Sequence, residues 1–364
     1  MTKVNRRKLF LRCSRLIAVS AAGAALNACG ATPKPTQPAP TDTPAAVVPT
    51  ATTLPTQAVA EAATSAPTVP AATPTPPAAT PTSAAVGATA TPPGTAYLAV
   101  VHGSSPAAIT EAAIKAIGGI ERFVKPGDDV IVKPNICVAY HGPEYAATTN
   151  PEVVATIVRL CRNAGAKRVR VMDYPFGGAA KEAYVRSGIQ EAVEAAGGEM
   201  ELMSHVKYAE VEFPAESVDI RKWVVYQDAL KADVIINVPI AKHHGNATLT
   251  LGAKNLMGLI ENRNLIHVNL HQRIADLITL FKPKLTVVDA VRILMANGPS
   301  GGDLSDVKEM NTVIASHDIV AADAYATTMV PFADTEKVAY IKIAAEMGLG
   351  TLDLSSVSIR EDYL

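Results

Sequence analysis

Short runs of apolar, mostly β-branched residues recur between residues 97 and 315, and helical patterns separate most of them. They are Tyr97–Val101, Asp129–Val132, Arg168–Met172, Asp233–Val238, Leu285–Val288 and Thr312–Ala315. A strand that alternates apolar with polar residues has one wet face, whereas a nearly continuous apolar run is covered on both. Runs of this kind joined by helices predict an α/β fold with a mainly parallel sheet and helices on both faces. The expected arrangement is three-layered and Rossmann-like.

The helix signals fit between these runs. Ser105 and Pro106 open a helical pattern that continues to Ile117. Asn150-Pro151-Glu152 is a second start, with Asn150 as cap and Pro151 in the first turn, where its missing N–H costs nothing. That helix carries Val154, Ile157, Val158 and Cys161 on one side and stops near Gly165. Ala180–Ala196 is helical with a break at Gly188, and further helices are expected over Asp318–Met329 and Asp334–Glu346. Glu199–Met203 and Val206–Phe213 read as additional strands.

The first 95 residues belong to neither pattern. Residues 1–29 begin with Lys3, Arg6, Arg7, Lys8, Arg12 and Arg15, continue into a short apolar stretch from Leu16 to Leu26, and end among small residues. This is the layout of an export signal. Arg6-Arg7 before Leu9-Phe10-Leu11 resembles a twin-arginine signal, and Leu26-Asn27-Ala28-Cys29 resembles a lipobox, which makes Cys29 the expected lipidated residue. Residues 30–95 are almost entirely Ala, Pro, Thr, Ser and Val, without one aromatic side chain. Such a segment has no apolar face with which to offset its ordering entropy. It is expected to be a disordered tether, able to reach on the order of 200 Å if fully extended. The expected location is therefore outside the cytoplasm, anchored through lipid to the outer face of the membrane or to the cell envelope. Residues 96–364 remain for the folded domain.

In that domain polar residues collect where strands end. Lys133 and Asn135, Asp173, Lys242 with His243 and His244, and Asp289 all follow predicted strands. Open parallel sheets bind ligands beyond the carboxyl ends of their strands. Asp173 and Asp289 have a competing account, because aspartate also favours strand-to-helix turns for backbone reasons. A lysine offers no acceptor to a helix N-terminus, so capping explains Lys133 and Lys242 poorly. The stretch Asn237–Gly258 concentrates the signal, with Lys242 and Lys254 bracketing Gly245, Asn246, Thr248, Thr250 and Gly252, and Asn255 following. Glycines let backbone N–H groups approach a ligand, and lysines supply point charges for carboxylate or phosphate. The spacing is not that of a P-loop. An anion-binding loop leading into a helix from about Leu249 is expected, and Asn297–Gly302 is a second loop able to close over it.

The blocks VIVKPN (130–135), TNPEVVATIVRLCRNAGAKRVRVMD (149–173), INVPIAKHHGNATLTLGAKNLMGLI (236–260), IADLITLFKPKLTVVDA (274–290), NGPSGG (297–302) and VIASHDIVAADA (313–324) together resemble the domain-of-unknown-function family 362. The resemblance covers nearly all of residues 96–364 and is closest in kind to exported members. Other members carry a ferredoxin-like cysteine module after the domain, and this chain has none. The resemblance implies a domain without implying a reaction.

The remaining signals bear on cofactors and partners. Four cysteines are present, of which Cys13 and Cys29 fall in the export signal. Cys137 and Cys161 have no paired spacing, so an iron–sulfur cluster of the chain's own is not expected. Cys161 shares an apolar helix face and reads as a core thiol, while a Cys137–Cys161 disulfide would suit an exported protein. His267 and His271 stand four apart in a helical pattern, the spacing at which two imidazoles share a divalent metal, although the acid of HExxH is missing. The formal net charge of -1 signals no surface for nucleic acid. Two function classes stay open. One is an enzyme on a small carboxylate or phosphate compound, with Lys133, Asn135, Asp173, Asn255 and Asp289 holding substrate and Lys242, His243, His244 and Lys254 supplying charge and acid–base chemistry. A proton transfer beside a carboxylate, or a hydrolysis, would fit it. The other is a tethered lipoprotein that captures an anion without reacting. A redox reading would require a cofactor or envelope partner that the sequence does not announce.

Overall fold

The computed structural model describes residues 94–364. The export signal, the lipidation at Cys29 and the tether up to residue 93 lie outside the described residues. Within them the chain begins with β1 (Leu98–His102), α1 (Pro106–Ala116), β2 (Asp129–Pro134), α2 (Pro151–Asn163) and β3 (Arg168–Val171). Two short helices, α3 (Ala180–Arg186) and α4 (Ile189–Ala195), lead to β4 (Glu199–Met200). An antiparallel pair, β5 (Tyr208–Glu212) and β6 (Lys222–Tyr226), stands apart from the main sheet. After α5 (Gln227–Lys231) come β7 (Val234–Val238), β8 (Ile240–His244), β9 (Thr248–Thr250) and the single turn α6 (Gly252–Asn255). The remainder is α7 (Leu270–Phe281), β10 (Leu285–Leu294), β11 (Val307–Ser316), α8 (Ile319–Thr327), α9 (Ala339–Glu346) and β12 (Ile359–Tyr363).

The main sheet runs in the order β12-β1-β11-β10-β7-β2-β3-β4, with β8 paired to β10 and β9 to β8. From β10 through β7, β2 and β3 to β4 every pairing is parallel. β11 is antiparallel to both its neighbours, β10 and β1. Side chains of each strand alternate between two cores. Ile131 joins the core that holds α7, α8 and α9, whereas Val130 and Val132 join the one that holds α1, α2 and α4. This is the expected α/β arrangement with helices on both faces.

The helix starts form as their residues dictate. Asn150 Oδ1 accepts the N–H of Glu152 at 2.8 Å, ahead of Pro151 in the first turn. Gly188 adopts φ 71° between α3 and α4, a left-handed conformation that only glycine takes cheaply. Cys137 and Cys161 are free buried thiols, so they form no disulfide. Cys161 packs with Val154, Ile157 and Val158, and burial pushes its pKa up to about 12.

Two expectations fail here. The helix expected from Leu249 is instead a hairpin of β8 and β9, and Asp289 lies inside β10 rather than after it. Thr248-Leu249-Thr250-Leu251 alternates with period two, a strand pattern. Its small polar residues are equally those of a ligand loop. Among the described residues no helix is long and apolar enough to cross a membrane.

Candidate functional site

Strand ends, the β8–β9 hairpin and the segment after α6 enclose a cavity of about 700 Å³. Its lining includes Lys133 and Asn135 from β2 and the residue beyond it, Asp173 after β3, Lys242 and His244 of β8, Thr250 of β9, and Lys254 and Asn255 of α6. Arg263 and His267 line it from the 3-10 segment Arg263–Asn269. Two strands, α6 and the 3-10 segment thus deliver four cationic side chains, Lys133, Lys242, Lys254 and Arg263, to one space.

The deepest part is a polar network without slack. Lys133 is fully buried, lies 2.7 Å from Asp173 Oδ1, and donates to Asn255 Oδ1 and the Pro134 carbonyl, both at 2.9 Å. Asp173 Oδ2 accepts the N–H of Ile136 at 2.6 Å. Asn255 Oδ1 also accepts from Asn135 at 3.0 Å, and its amide donates to Asn237 Oδ1 at 2.8 Å and to the Lys133 carbonyl at 3.0 Å. Lys242 Nζ donates to Asn135 Oδ1 at 2.9 Å and to the Ala147 carbonyl. Asn255 therefore ties α6 to both β2 and β7, and Asn135 links α6 to β8. Burial pushes the Lys133 pKa down, and the Asp173 carboxylate works against that shift.

Charge is only partly compensated. Asp173 neutralises Lys133, but among the described residues Lys242, Lys254 and Arg263 have no carboxylate partner. Arg263 donates to the carbonyls of Tyr174 and Pro175 at 2.8 and 3.0 Å and lies over the Tyr174 ring at 4.6 Å. Glu261 also lines the cavity, and its carboxylate meets His205 at 2.8 Å. The field inside the cavity favours an anion.

The two imidazoles of the His-His pair separate because successive strand residues face opposite ways. His244 turns to the cavity with Lys242. Its Nδ1 accepts the N–H groups of Asn246 and Ala247 at 3.1 and 3.2 Å, which leaves the proton on Nε2. Burial, then the charges of Lys254 and Lys242, hold its pKa down to about 3. His244 is accordingly a neutral donor at physiological pH and a poor base, which leaves it only the donor half of its expected acid–base role. His243 is not among the cavity-lining residues; its Nδ1 accepts the Gly298 N–H at 3.1 Å, and its ring meets Phe332 edge-on at 5.7 Å. It anchors the Asn297–Gly302 loop, whose Pro299 reaches the lining. Burial, then the nearby Lys242 charge, push the pKa of Lys254 down to about 7.

Two further expectations change. Asp289 does not line the cavity: its carboxylate accepts the N–H groups of Asn150 at 2.7 Å and Val291 at 3.0 Å, and burial raises its pKa to about 6. It ties β10 to the start of α2, the backbone role that aspartates commonly take. His267 and His271 do not share a helix face, because Asn269 at φ −141°, ψ 64° separates the 3-10 segment from α7. His267 lines the cavity, whereas His271 stacks on Tyr340 with centroids 6.2 Å apart. Among the described residues no group of three or more His, Cys, Asp or Glu is arranged to hold a metal ion.

Sequence reasoning missed Arg263 and Asp323. Arg263 had a signal in the polar run Glu261–Asn264 after an apolar stretch. Asp323 gave none, being one acid in an alanine-rich helix. Its carboxylate accepts the N–H groups of Gly252 and Ala253 at 2.7 and 2.9 Å, and burial raises its pKa to about 7. The start of α6 is thus already occupied and holds Lys254 and Asn255 in place.

The sequence model of the family described as domain of unknown function (DUF362) matches residues 130–328, which include Lys133, Lys242, Lys254 and Arg263. The chain is similar to a thylakoid-associated protein of Synechocystis sp., with 28% identity over 219 residues, 58% of this chain and 65% of the relative, less than two thirds of its length. Among solved structures, the lactate racemase apoprotein from Thermoanaerobacterium thermosaccharolyticum is similar over 60% of this chain and 54% of its own, at 14% identity and a TM-score of 0.36. A similarity at that level carries nothing about the site.

Gly258 closes over the buried ion pair: a Cβ there would stand 1.9 Å from Asp173 Oδ1 and 2.6 Å from Lys133 Nζ. Gly258→Ala is expected to cost about 1–3 kcal/mol by overpacking, measured by urea denaturation. An unchanged midpoint and slope would show that the pair is not wedged beneath this glycine.

Proposed function

The chain belongs to the DUF362 family, and on that premise we propose that its folded domain takes up a small carboxylate or phosphate compound in the cationic cavity and acts on it with lysine acid–base chemistry. The observation that carries the reading is the convergence of Lys242, Lys254 and Arg263 on one cavity with no carboxylate partner among the described residues. A bound anion would supply the missing charge. Lys133, Asn135 and Asn255 fix the floor, Lys242 and Arg263 attract the anion, and His244 offers a neutral Nε2–H to a developing negative oxygen. Lys254, with a pKa pushed down to about 7, takes or gives the proton. A capture protein that does no chemistry would use the first groups equally well. It would leave a lysine poised near neutrality without a task.

We also propose a location at a membrane. Its relative is thylakoid-associated by name; the finer proposal is an exported lipoprotein anchored at Cys29, with residues 30–95 as tether. Cys29→Ala is then expected to move the protein from the membrane fraction to the soluble fraction after cell fractionation. Unchanged partitioning would end the lipid-anchor reading.

For the cavity, sulfate and oxalate are suitable probes because their charge is constant near neutrality. Each is expected to raise the melting temperature, and more strongly as pH falls from about 8 to about 6, since Lys254 gains its proton across that interval. His244 contributes nothing to this trend because it stays neutral. Lys254→Met should remove the pH dependence and weaken the stabilisation. If neither anion stabilises the wild-type protein at any pH, the cavity is not an anion site.

A further inference from the structure

The four cations of the cavity are not equivalent. Lys133 is held by Asp173, Asn255 and the Pro134 carbonyl, Lys242 by Asn135 and the Ala147 carbonyl, and Arg263 by the carbonyls of Tyr174 and Pro175. Lys254 has no hydrogen-bond or ion-pair partner among the described residues, although it lines the same space. Its neighbours hold its backbone firmly: Asp323 caps Gly252 and Ala253, and Asn255 is bonded into the floor. A rigid backbone presenting a single unengaged amine to a cavity lined by held cations is more than charge attraction requires.

We propose that Lys254 is a nucleophile that condenses through Nζ with the carbonyl carbon of a small anionic oxo compound, an oxo acid above all, to form an imine. The proposal rests on the anion reading of the cavity and names the substrate class for it. The nitrogen lone pair attacks the carbonyl carbon and the π pair moves to oxygen. The two amine protons leave with that oxygen as water, and one proton taken from solvent converts the imine to its iminium form. No oxidant or reductant is needed. An ammonium cannot attack, so the reaction needs the free amine, and burial together with Lys242 makes that form available near neutrality. The cations that lower the amine's proton affinity are also those that would hold the carboxylate of the substrate. His244 Nε2–H is a fixed neutral donor for the carbonyl oxygen. The iminium, once formed, draws electrons from the bonds to its neighbouring carbon, which eases loss of a proton there.

The test uses the full-length protein with pyruvate, and separately with glyceraldehyde 3-phosphate, followed by borohydride reduction and peptide mass spectrometry. Thermal shifts with the same two compounds are recorded in parallel without reductant. The expected result is one adduct, at Lys254, trapped faster as pH rises through about 7 and levelling off above it. Trapping of pyruvate would assign a carboxylate-bearing substrate, and trapping of the sugar phosphate a phosphate-bearing one; either supports the proposal. Lys254→Arg keeps the positive charge, so it should retain the thermal shift and lose the adduct. Stabilisation without an adduct at Lys254, or adducts scattered over exposed lysines such as Lys282 and Lys337, would overturn the imine and leave the anion cavity standing. Neither stabilisation nor adduct would overturn both.

Discussion

Lys133 has no exposed surface, and its charge is held by Asp173 at 2.7 Å. The rest of the site depends on that buried pair. Two ions withdrawn from water repay their desolvation only when their remaining valences are satisfied. Asn255, Ile136 and the Pro134 carbonyl satisfy them here. Because those groups come from β2, from the loop after it and from α6, the pair fixes the relative positions of three chain segments. Gly258, in the 3-10 segment after α6, must be a glycine for that segment to pass over the pair. The pair thus converts a charge that would be costly alone into the register of the cavity floor.

On this floor the remaining cations divide the work. Lys242 and Arg263 are tied to carbonyl and amide oxygens, which orient them without neutralising them. Burial lowers the proton affinity of His244 and Lys254, and the charge of Lys242 lowers both further. The response differs in consequence. His244, with its Nδ1 already occupied by backbone donors, becomes a permanent neutral donor. Lys254, which starts from a much higher proton affinity, arrives near neutrality, where an amine is both available and able to be protonated.

Much of this was legible in the sequence and some was not. The parallel α/β fold follows from apolar runs such as Val234–Val238 and from caps as explicit as Asn150-Pro151. The strand ends at Lys133, Asn135 and Asp173 follow from the same reading, and the structure brings all three to the cavity. What misled was polarity read without periodicity. Lys242-His243-His244 looks like one cluster, but β8 turns its middle member away. Thr248-Leu249-Thr250-Leu251 looks like a ligand loop and is a strand. Asp289 looks like a strand-end ligand and sits inside β10. His267 and His271 looked like one helix face until Asn269 broke it. Pairing partners far apart in the chain, such as Asp323 with Gly252 at 2.7 Å, leave no local trace at all.

The site turns on the state of one amine. Its most direct test is an NMR pH titration of the side-chain signals of labelled lysine, with Lys254→Arg to assign the resonance. A midpoint near 7 is the predicted result. A midpoint near the ordinary lysine value of about 10.4 would contradict it, because a lysine that holds its proton throughout the neutral range is a simple countercharge rather than a reacting group.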